Sequence, residues 1–453
     1  MYSLGFCWRY NRLAYSTKGV LSVSLNSGRY TKSYEYRGKA DSLFLNGVLT
    51  LSKSPIHIAP DACPVFVERA KGAYFWDCDG NCYVDYPLAL GPIILGYAYE
   101  EVDSVVREQM SKGFLYSLSS RLEIELAEVL CEVIPSAEMV KILKSGSDAM
   151  SAAVRVARAY TGKDVVAVCG YHGWHDWTVV RTSRNAGIPS GLKELVFEFQ
   201  YNNPDSLQKV FDLNPNKVAA VILEPVGMYM PENDFLNKVA MLAKRNNALL
   251  IFDEIITGFR LSMGGAQSYF SVTPDLSAFG KAMANGYPIS ALVGKTDIMN
   301  AVGDKVFISS TYGGDLLSIT AAIKTIEILK EKKVNNYILN LGQQLKDGLN
   351  NSIKEYKINA SCEGMPHKTF LVFKDMEGVS GKMIETLFRQ ECLARGIFLG
   401  YGHFICFSHT REDIQNAIKV ASEVLGIIKG ALNRGNLPSL LKGAVAKDVF
   451  KRY

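Results

Sequence analysis

The 453-residue chain has no run of 18 or more apolar residues, which argues against a transmembrane helix. It also has no CxxC pair, although nine cysteines occur, at 7, 63, 78, 82, 131, 169, 362, 392 and 406. Cys78 and Cys82 are four apart, but no second pair or nearby histidine completes a zinc set. An odd count at irregular spacing reads as reduced thiols in a cytoplasmic protein, some of them packed as small hydrophobes. Histidine is scarce, six in all, and forms no ligand cluster, so a metal enzyme has little footing. The 38 Gly and 15 Pro show no period, which excludes collagen-like and low-complexity classes. Charge of one sign is lacking too. Fifty basic against 45 acidic residues, scattered along the chain, give no basis for a nucleic-acid or membrane partner. The one local imbalance is at the start, where Arg9, Arg12, Lys18, Arg29 and Lys32 precede the first acid, Glu35. Organelle transit peptides are acid-poor in this way, and the plainer reading is an N-terminal extension over 1–40. What is present in quantity is apolar surface: 48% hydrophobic and 21% charged residues describe a globular chain of two to four domains, or one large domain with a smaller one.

Periodicity organises the rest. Gly72 to Tyr86 alternates apolar and polar around Asp79-Gly80, the pattern of a β-hairpin with a two-residue turn. Glu100 to Lys112 reads as a helix closed by Gly113. Short aliphatic runs at Met139–Leu143, Val165–Cys169, Val218–Leu223, Ala248–Phe252 and Ile289–Val293 read as strands buried on both faces. Helical patterns at Asp148–Tyr160, Ser206–Asp212 and Phe235–Arg245 lie between them. This alternation predicts an α/β fold with a mainly parallel sheet in a large domain, whose ligands bind at the carboxyl ends of the strands. After about residue 315 a helix over Leu317–Glu331, a mixed region with strands at Lys368–Phe373 and Phe404–Phe407, and a helix over Thr410–Ile428 predict a smaller α+β domain. Thr410-x-x-Asp413 is a capping box.

The residues just after each strand carry the chemistry. Lys144-Ser145-Gly146-Ser147-Asp148 enters a helix, whose free N–H groups and small side chains suit a phosphate, or serve as an ordinary N-cap. Gly170-Tyr171-His172-Gly173 presents an aromatic ring to stack on a flat ligand and a histidine to act as a base; the alternative is a packed aromatic loop. Glu224 closes a buried strand, either at an exposed sheet edge or aimed into a site. Asp253 and Glu254 are delivered together to a strand tip, and buried acids need a partner. The string resembles a Walker B acid, yet no Gly-x4-Gly-Lys-Ser/Thr loop precedes it, and Gly294-Lys295-Thr296 lacks the first glycine. Lys281 follows another short strand, Asp275–Phe279, among small and apolar residues. A lone lysine is most often a surface residue; a desolvated one is a nucleophilic amine. One ligand answers all of these features. Pyridoxal 5′-phosphate has a phosphate, a flat ring, a ring nitrogen that wants a buried carboxylate (Asp253), and an aldehyde that wants a lysine (Lys281).

The ordered pieces SGSDA, YHG, EP, FDEIITGFR and FGKAMANGYPISA resemble the class III pyridoxal-phosphate aminotransferases. Their nearest likeness is to glutamate-1-semialdehyde aminomutases and polysaccharide-pathway aminotransferases. The resemblance covers roughly residues 55–430. It implies fold type I and a homodimer with shared active sites. The implied boundaries are 41–90 and 315–432 for the small domain, 91–314 for the large cofactor-binding domain and 433–453 for a basic tail. It implies Ser145, Gly146 and Ser147 as the phosphate turn, Tyr171 over the ring, and Ile255 on the other ring face. Glu224 stands near the site, and Thr311 reaches the partner's phosphate. The substrates implied are an amino acid donor and a keto or aldehyde acceptor, sugar-like in this reading. The aminomutases carry a glutamate a few residues before a His-Thr pair; here His403-Phe404-Ile405-Cys406 precede His409-Thr410, with no acid. Intramolecular transfer is therefore the second expectation, and a catalytically silent binding protein a distant third.

Overall fold

The computed structural model describes residues 28–449. The acid-poor start falls mostly outside the described residues, as does the very end of the basic tail. The first described element, α1 (Thr31–Leu43), docks on the hairpin. Asp79, in the hairpin turn, accepts from the backbone N–H of Lys32 and Ser33 at 2.7 and 3.0 Å, satisfying two donors that no helix can satisfy internally. The hairpin belongs to a small four-stranded sheet of β1 (Val67–Lys71), β2 (Tyr74–Asp77), β3 (Cys82–Asp85) and a short parallel strand, Ile397–Phe398, from near the end of the chain. Its turn holds three residues rather than the expected two: Asp77 N–H bonds the carbonyl of Asn81 at 3.0 Å, and Gly80 takes the left-handed conformation (φ +89°). Helices α2 (Glu100–Ser111) and α3 (Arg121–Val133) lead into the large domain.

There the chain alternates as the aliphatic runs predict. The elements are β4 (Met139–Leu143), α4 (Gly146–Thr161), β5 (Val165–Cys169), α5 (Asp176–Val179), β6 (Val196–Glu198), α6 (Pro204–Leu213), β7 (Val218–Leu223), α7 (Phe235–Arg245), β8 (Leu249–Asp253), α8 (Gly265–Phe270), β9 (Leu276–Phe279), β10 (Ser290–Gly294) and α9 (Thr296–Val302). They form one seven-stranded sheet in the order β4-β10-β9-β8-β7-β5-β6. The five strands from β9 to β6 are parallel; β10 runs antiparallel to both its neighbours. Successive residues of the central strands feed two separate cores. Val166, Val168, Ile222 and Ile251 pack on α4, whereas Val165, Val221, Leu250 and Phe252 pack with Phe211 and Phe235 of α6 and α7. Each such side chain contributes about 1.5–3 kcal/mol on burial. Strand β4 departs from the expectation of burial on both faces. It lies at the sheet edge and only Leu143 is fully buried.

The remaining elements are α10 (Leu316–Glu331), α11 (Val334–Glu355), β11 (Ala360–Met365), β12 (Lys368–Phe373), α12 (Gly381–Ala394), β13 (Ile397–Phe398), β14 (His403–Phe404) and α13 (Arg411–Asn433). The mixed region thus conceals a 22-residue helix, α11, buried through Ile338, Leu341, Leu345 and Leu349. The strand expected over Phe404–Phe407 is reduced to β14, because Cys406 turns to bond the imidazole of His409. The capping box at Thr410 forms, with Asp413 N–H donating to the threonine hydroxyl at 3.1 Å. Beyond α13 the chain returns to the small domain, where Lys447 N–H bonds the carbonyl of Ile56 at 2.9 Å.

Candidate active site

The carboxyl ends of β5, β7, β8 and β9 and the start of α4 surround one cavity of about 460 Å3, within the usual size range for small-molecule sites. Gly146, Ser147, Tyr171, His172, Glu224, Asp253, Ile255 and Lys281 all line it. Ser145 and Thr311 do not. The Ser145 hydroxyl is occupied as N-cap of α4, accepting from Asp148 N–H at 3.2 Å. Thr311 stands exposed in a one-turn helix, Thr311–Gly314.

Each lining group is held by its neighbours. Asp253, at the tip of β8, is buried, and its carboxylate accepts from His172 Nδ1 at 2.9 Å and from Ile255 N–H at 3.1 Å. His172 is buried as well and stacks at 9° on Trp177, so it orients Asp253 instead of lying free as a base. Glu254 turns the other way. It accepts from Ala266 N–H, Gln267 N–H and the Thr257 hydroxyl, and burial pushes its carboxyl pKa upward. Only one of the two carboxylates at this strand tip therefore serves the cavity. Glu224 accepts from Tyr171 N–H at 3.0 Å, which sets the Tyr171 ring, still 45% exposed, at the cavity. Gly170 is required here, since a Cβ would come within 2.9 Å of the Glu224 carboxylate at a φ of +107°.

The start of α4 offers donors suited to an anion. Gly146 and Ser147 occupy its first turn, where backbone N–H groups have no intrahelical acceptor and the helix dipole favours negative charge. The Ser147 hydroxyl accepts from Trp174 N–H at 3.2 Å and keeps its own hydrogen to donate. Ile255 lies against both Gly146 and Gly280, 3.2 Å from where either Cβ would stand. Lys281 leaves β9 with φ +43°, a left-handed turn that a non-glycine residue adopts at a cost of about 1–3 kcal/mol, and such strain concentrates at functional sites. Its amine pKa is pushed down to about 8, first by desolvation and then by the charge of Lys368, against the opposing pull of Glu224 and Asp253. A phosphate-bearing flat ring with a basic nitrogen and an aldehyde fits this set: donors for the phosphate, a carboxylate for the nitrogen, an uncharged amine within reach of neutral pH for the aldehyde.

Three comparisons bear on the site. The family model for aminotransferase class III matches residues 57–372. The chain belongs to the class III aminotransferases. It is 40% identical over 403 residues to a 3-aminobutyryl-CoA aminotransferase of Cloacimonas acidaminovorans, covering 87% of this chain and 96% of that one. It is 36% identical over 394 residues to a glutamate-1-semialdehyde 2,1-aminomutase of Archaeoglobus fulgidus, covering 80% and 93%. Among solved structures, the PLP-containing FumI protein of Sphingopyxis sp. MTA144 superposes with a TM-score of 0.83 at 26% identity, over 90% of this chain and all of that one. The fold is that of the fold-type-I PLP-dependent transaminases, and this class III enzyme uses pyridoxal phosphate to act on small-molecule amino donors and acceptors.

Three lining or supporting residues have no role assigned by sequence reasoning. Lys144 lines the cavity but is paired with Asp315 at 2.7 Å. Asn285 fastens the segment before α2, accepting from Ile94 and Leu95 N–H at 3.0 and 2.9 Å and donating to Gly96. Lys368 enters from the small domain, 87 positions after Lys281 (368 − 281), with no local motif to mark it.

The lowered pKa of Lys281 has a direct readout. In the cofactor-free protein the reactive amine is present above about pH 8 and lost as ammonium below it. The rate of cofactor capture, followed by absorbance after adding pyridoxal phosphate, should rise with pH through a midpoint near 8. A midpoint near the ordinary lysine value of 10.5 would show Lys281 to be solvated.

Proposed function

We propose that this enzyme performs intermolecular amino transfer, from an amino acid such as glutamate to the carbonyl of a 3-oxo acid or acyl compound, with Lys281 as the catalytic amine. The observation that carries the roles is the convergence of Lys281, the His172–Asp253 pair and the α4 N-terminus on one cavity. When bound, pyridoxal phosphate supplies an aldehyde that takes up the amine and a ring that accepts electrons from the adjoining carbon. Gly146 and Ser147 would receive its phosphate, and Tyr171 and Ile255 would confine its ring. Asp253, oriented by His172, places a carboxylate for the ring nitrogen. Lys281 Nζ would hold the aldehyde and, when free of it, would serve as the acid–base group that moves a proton at the reacting carbon. The apolar lining by Pro92, Met150, Ile256 and Ile289 supports an acyl-type acceptor over a sugar, as does the name of the Cloacimonas relative.

The aminomutase names among the relatives keep intramolecular transfer as a second reading. Against it stands the stretch His403–Cys406, which is buried and brings no carboxylate to the cavity. Loaded with cofactor, the enzyme should show a visible absorbance band that glutamate removes and acetoacetate restores. A band removed only by a diamino or semialdehyde compound would establish the mutase instead, and no band at all would sink both readings.

We also propose a homodimer. Leu118 is 84% and Phe307 80% exposed, and Tyr116, Tyr312 and Thr311 are exposed with them. Large apolar side chains left exposed in this way suit burial against a second copy, and the exposed Thr311 would be available to the partner's phosphate site. Sedimentation equilibrium should return twice the chain mass; a monomer that is fully active would refute the shared-site arrangement.

A further inference from the structure

Lys368 opens β12 in the small domain, paired with Met365 of β11 and Phe404 of β14. It is half-buried on the cavity wall, where its stem passes Gly402. A Cβ on that glycine would stand 4.0 Å from Lys368 Cε.

The other charged groups lining the cavity all have assignments. Lys144 is neutralised by Asp315. Asp253 is held by His172, and Glu224 by the Tyr171 backbone. Lys281 is taken by the cofactor aldehyde in the reading above. Lys368 has no ion pair with any carboxylate among the described residues. Its neighbours in the small domain bring no carboxylate: His367 is fully buried, with its pKa pushed down to about 3 by burial and by Arg260 and Lys368, and Arg260 lies against the Phe404 ring; the two carboxylates of the cavity, Glu224 and Asp253, are engaged by Tyr171 N–H and His172. The charge of Lys368 opposes that of Lys281, whose amine it pushes toward the neutral form. That opposition is relieved when an anion enters.

We propose that Lys368 is a specificity-determining residue that binds a carboxylate on the amino substrate, so that the preferred substrates of this site are acids. The proposal rests on the transaminase reading for what the substrate does, but not for where its acid group binds. The cation comes from the small domain and the reacting amine from the large domain, so an acidic substrate would bridge the two.

The test compares wild type, Lys368→Met and Lys368→Arg. Methionine keeps the length of the stem and removes the charge; arginine keeps the charge. Succinate, titrated by calorimetry, probes anion binding without any turnover. Its Kd should rise about 10- to 100-fold in Lys368→Met and largely recover in Lys368→Arg, the range expected for hydrogen bonds to a charged group. The second arm follows cofactor-band bleaching by 3-aminobutyrate and by 2-aminobutane, which lacks the carboxylate. Half-saturation should rise in Lys368→Met for 3-aminobutyrate alone, with a similar limiting rate. Succinate binding that is absent from wild type or equal in Lys368→Met would overturn the proposal, as would equal losses with both amines. Because the succinate arm needs no absorbance band, a missing band would count against the transaminase reading and leave the carboxylate assignment to be decided by calorimetry.

Discussion

Lys281→Ala should lower turnover by roughly 10^4-fold with every amino donor, since the substitution removes both the group that bonds the cofactor and the group that moves the proton. The loss should be in the limiting rate, not in folding. Lys281 lies beside Lys368 and is desolvated, so its removal relieves repulsion and the thermal midpoint should hold or rise. Gly146 and Ser147, proposed to receive the phosphate, are untouched, and the variant should still bind pyridoxal phosphate non-covalently. A small exogenous amine such as methylamine should restore part of the proton transfer. Turnover at the wild-type level in the alanine variant would end the assignment of Lys281.

Asp253→Asn carries the second-largest effect. The amide preserves shape, and its oxygen can still accept from His172 Nδ1 or from Ile255 N–H, so the geometry at the tip of β8 is retained while the charge is lost. Fixed charge placed where the reaction develops its own is commonly the largest electrostatic contribution in a site, and its removal should cost about 10^2- to 10^3-fold in turnover. His172→Phe offers the contrast. It keeps the charge and removes only the orienting bond, and a loss of roughly 10-fold or somewhat more is expected, as for other groups that position a primary ligand. Equal activity of Asp253→Asn and wild type, measured as single-turnover bleaching with glutamate, would show that the carboxylate does not act on the cofactor ring.

Linear order was enough to read the strand–helix alternation of the seven-stranded sheet. The aliphatic runs of β5 and β7 are buried on both faces, and no polar residue interrupts them, so their limits could be read directly. The residues that follow them, Tyr171-His172 and Glu224, and those after the neighbouring strands, Asp253 and Lys281, come to one cavity because parallel strands end on one side of a sheet. Local chemistry likewise sufficed for the capping box at Thr410, where all the partners lie within one helical turn.

Tertiary structure decided everything that depends on a partner distant in sequence. The edge position of β4 follows from pairing with β10, which is almost 150 residues away and invisible in the run itself. The length of α11 was masked because its buried face meets α13 and β11, while its other residues are polar enough to read as irregular. Asp253 and Glu254 are adjacent in sequence but separate in function, since successive residues at a strand end point to opposite faces and only one face opens on the cavity. Lys368 is the clearest case. A lysine at the start of an apolar strand is ordinary in sequence; the packing of the small domain against the large one sets it beside Lys281 and makes it part of the site. The sequence by itself determined the family, the cofactor and the order of the sheet's chemistry, because these rest on short-range patterns and parallel-strand geometry. The charges that meet the substrate were decided only by folding, which brings together residues that share no local signal.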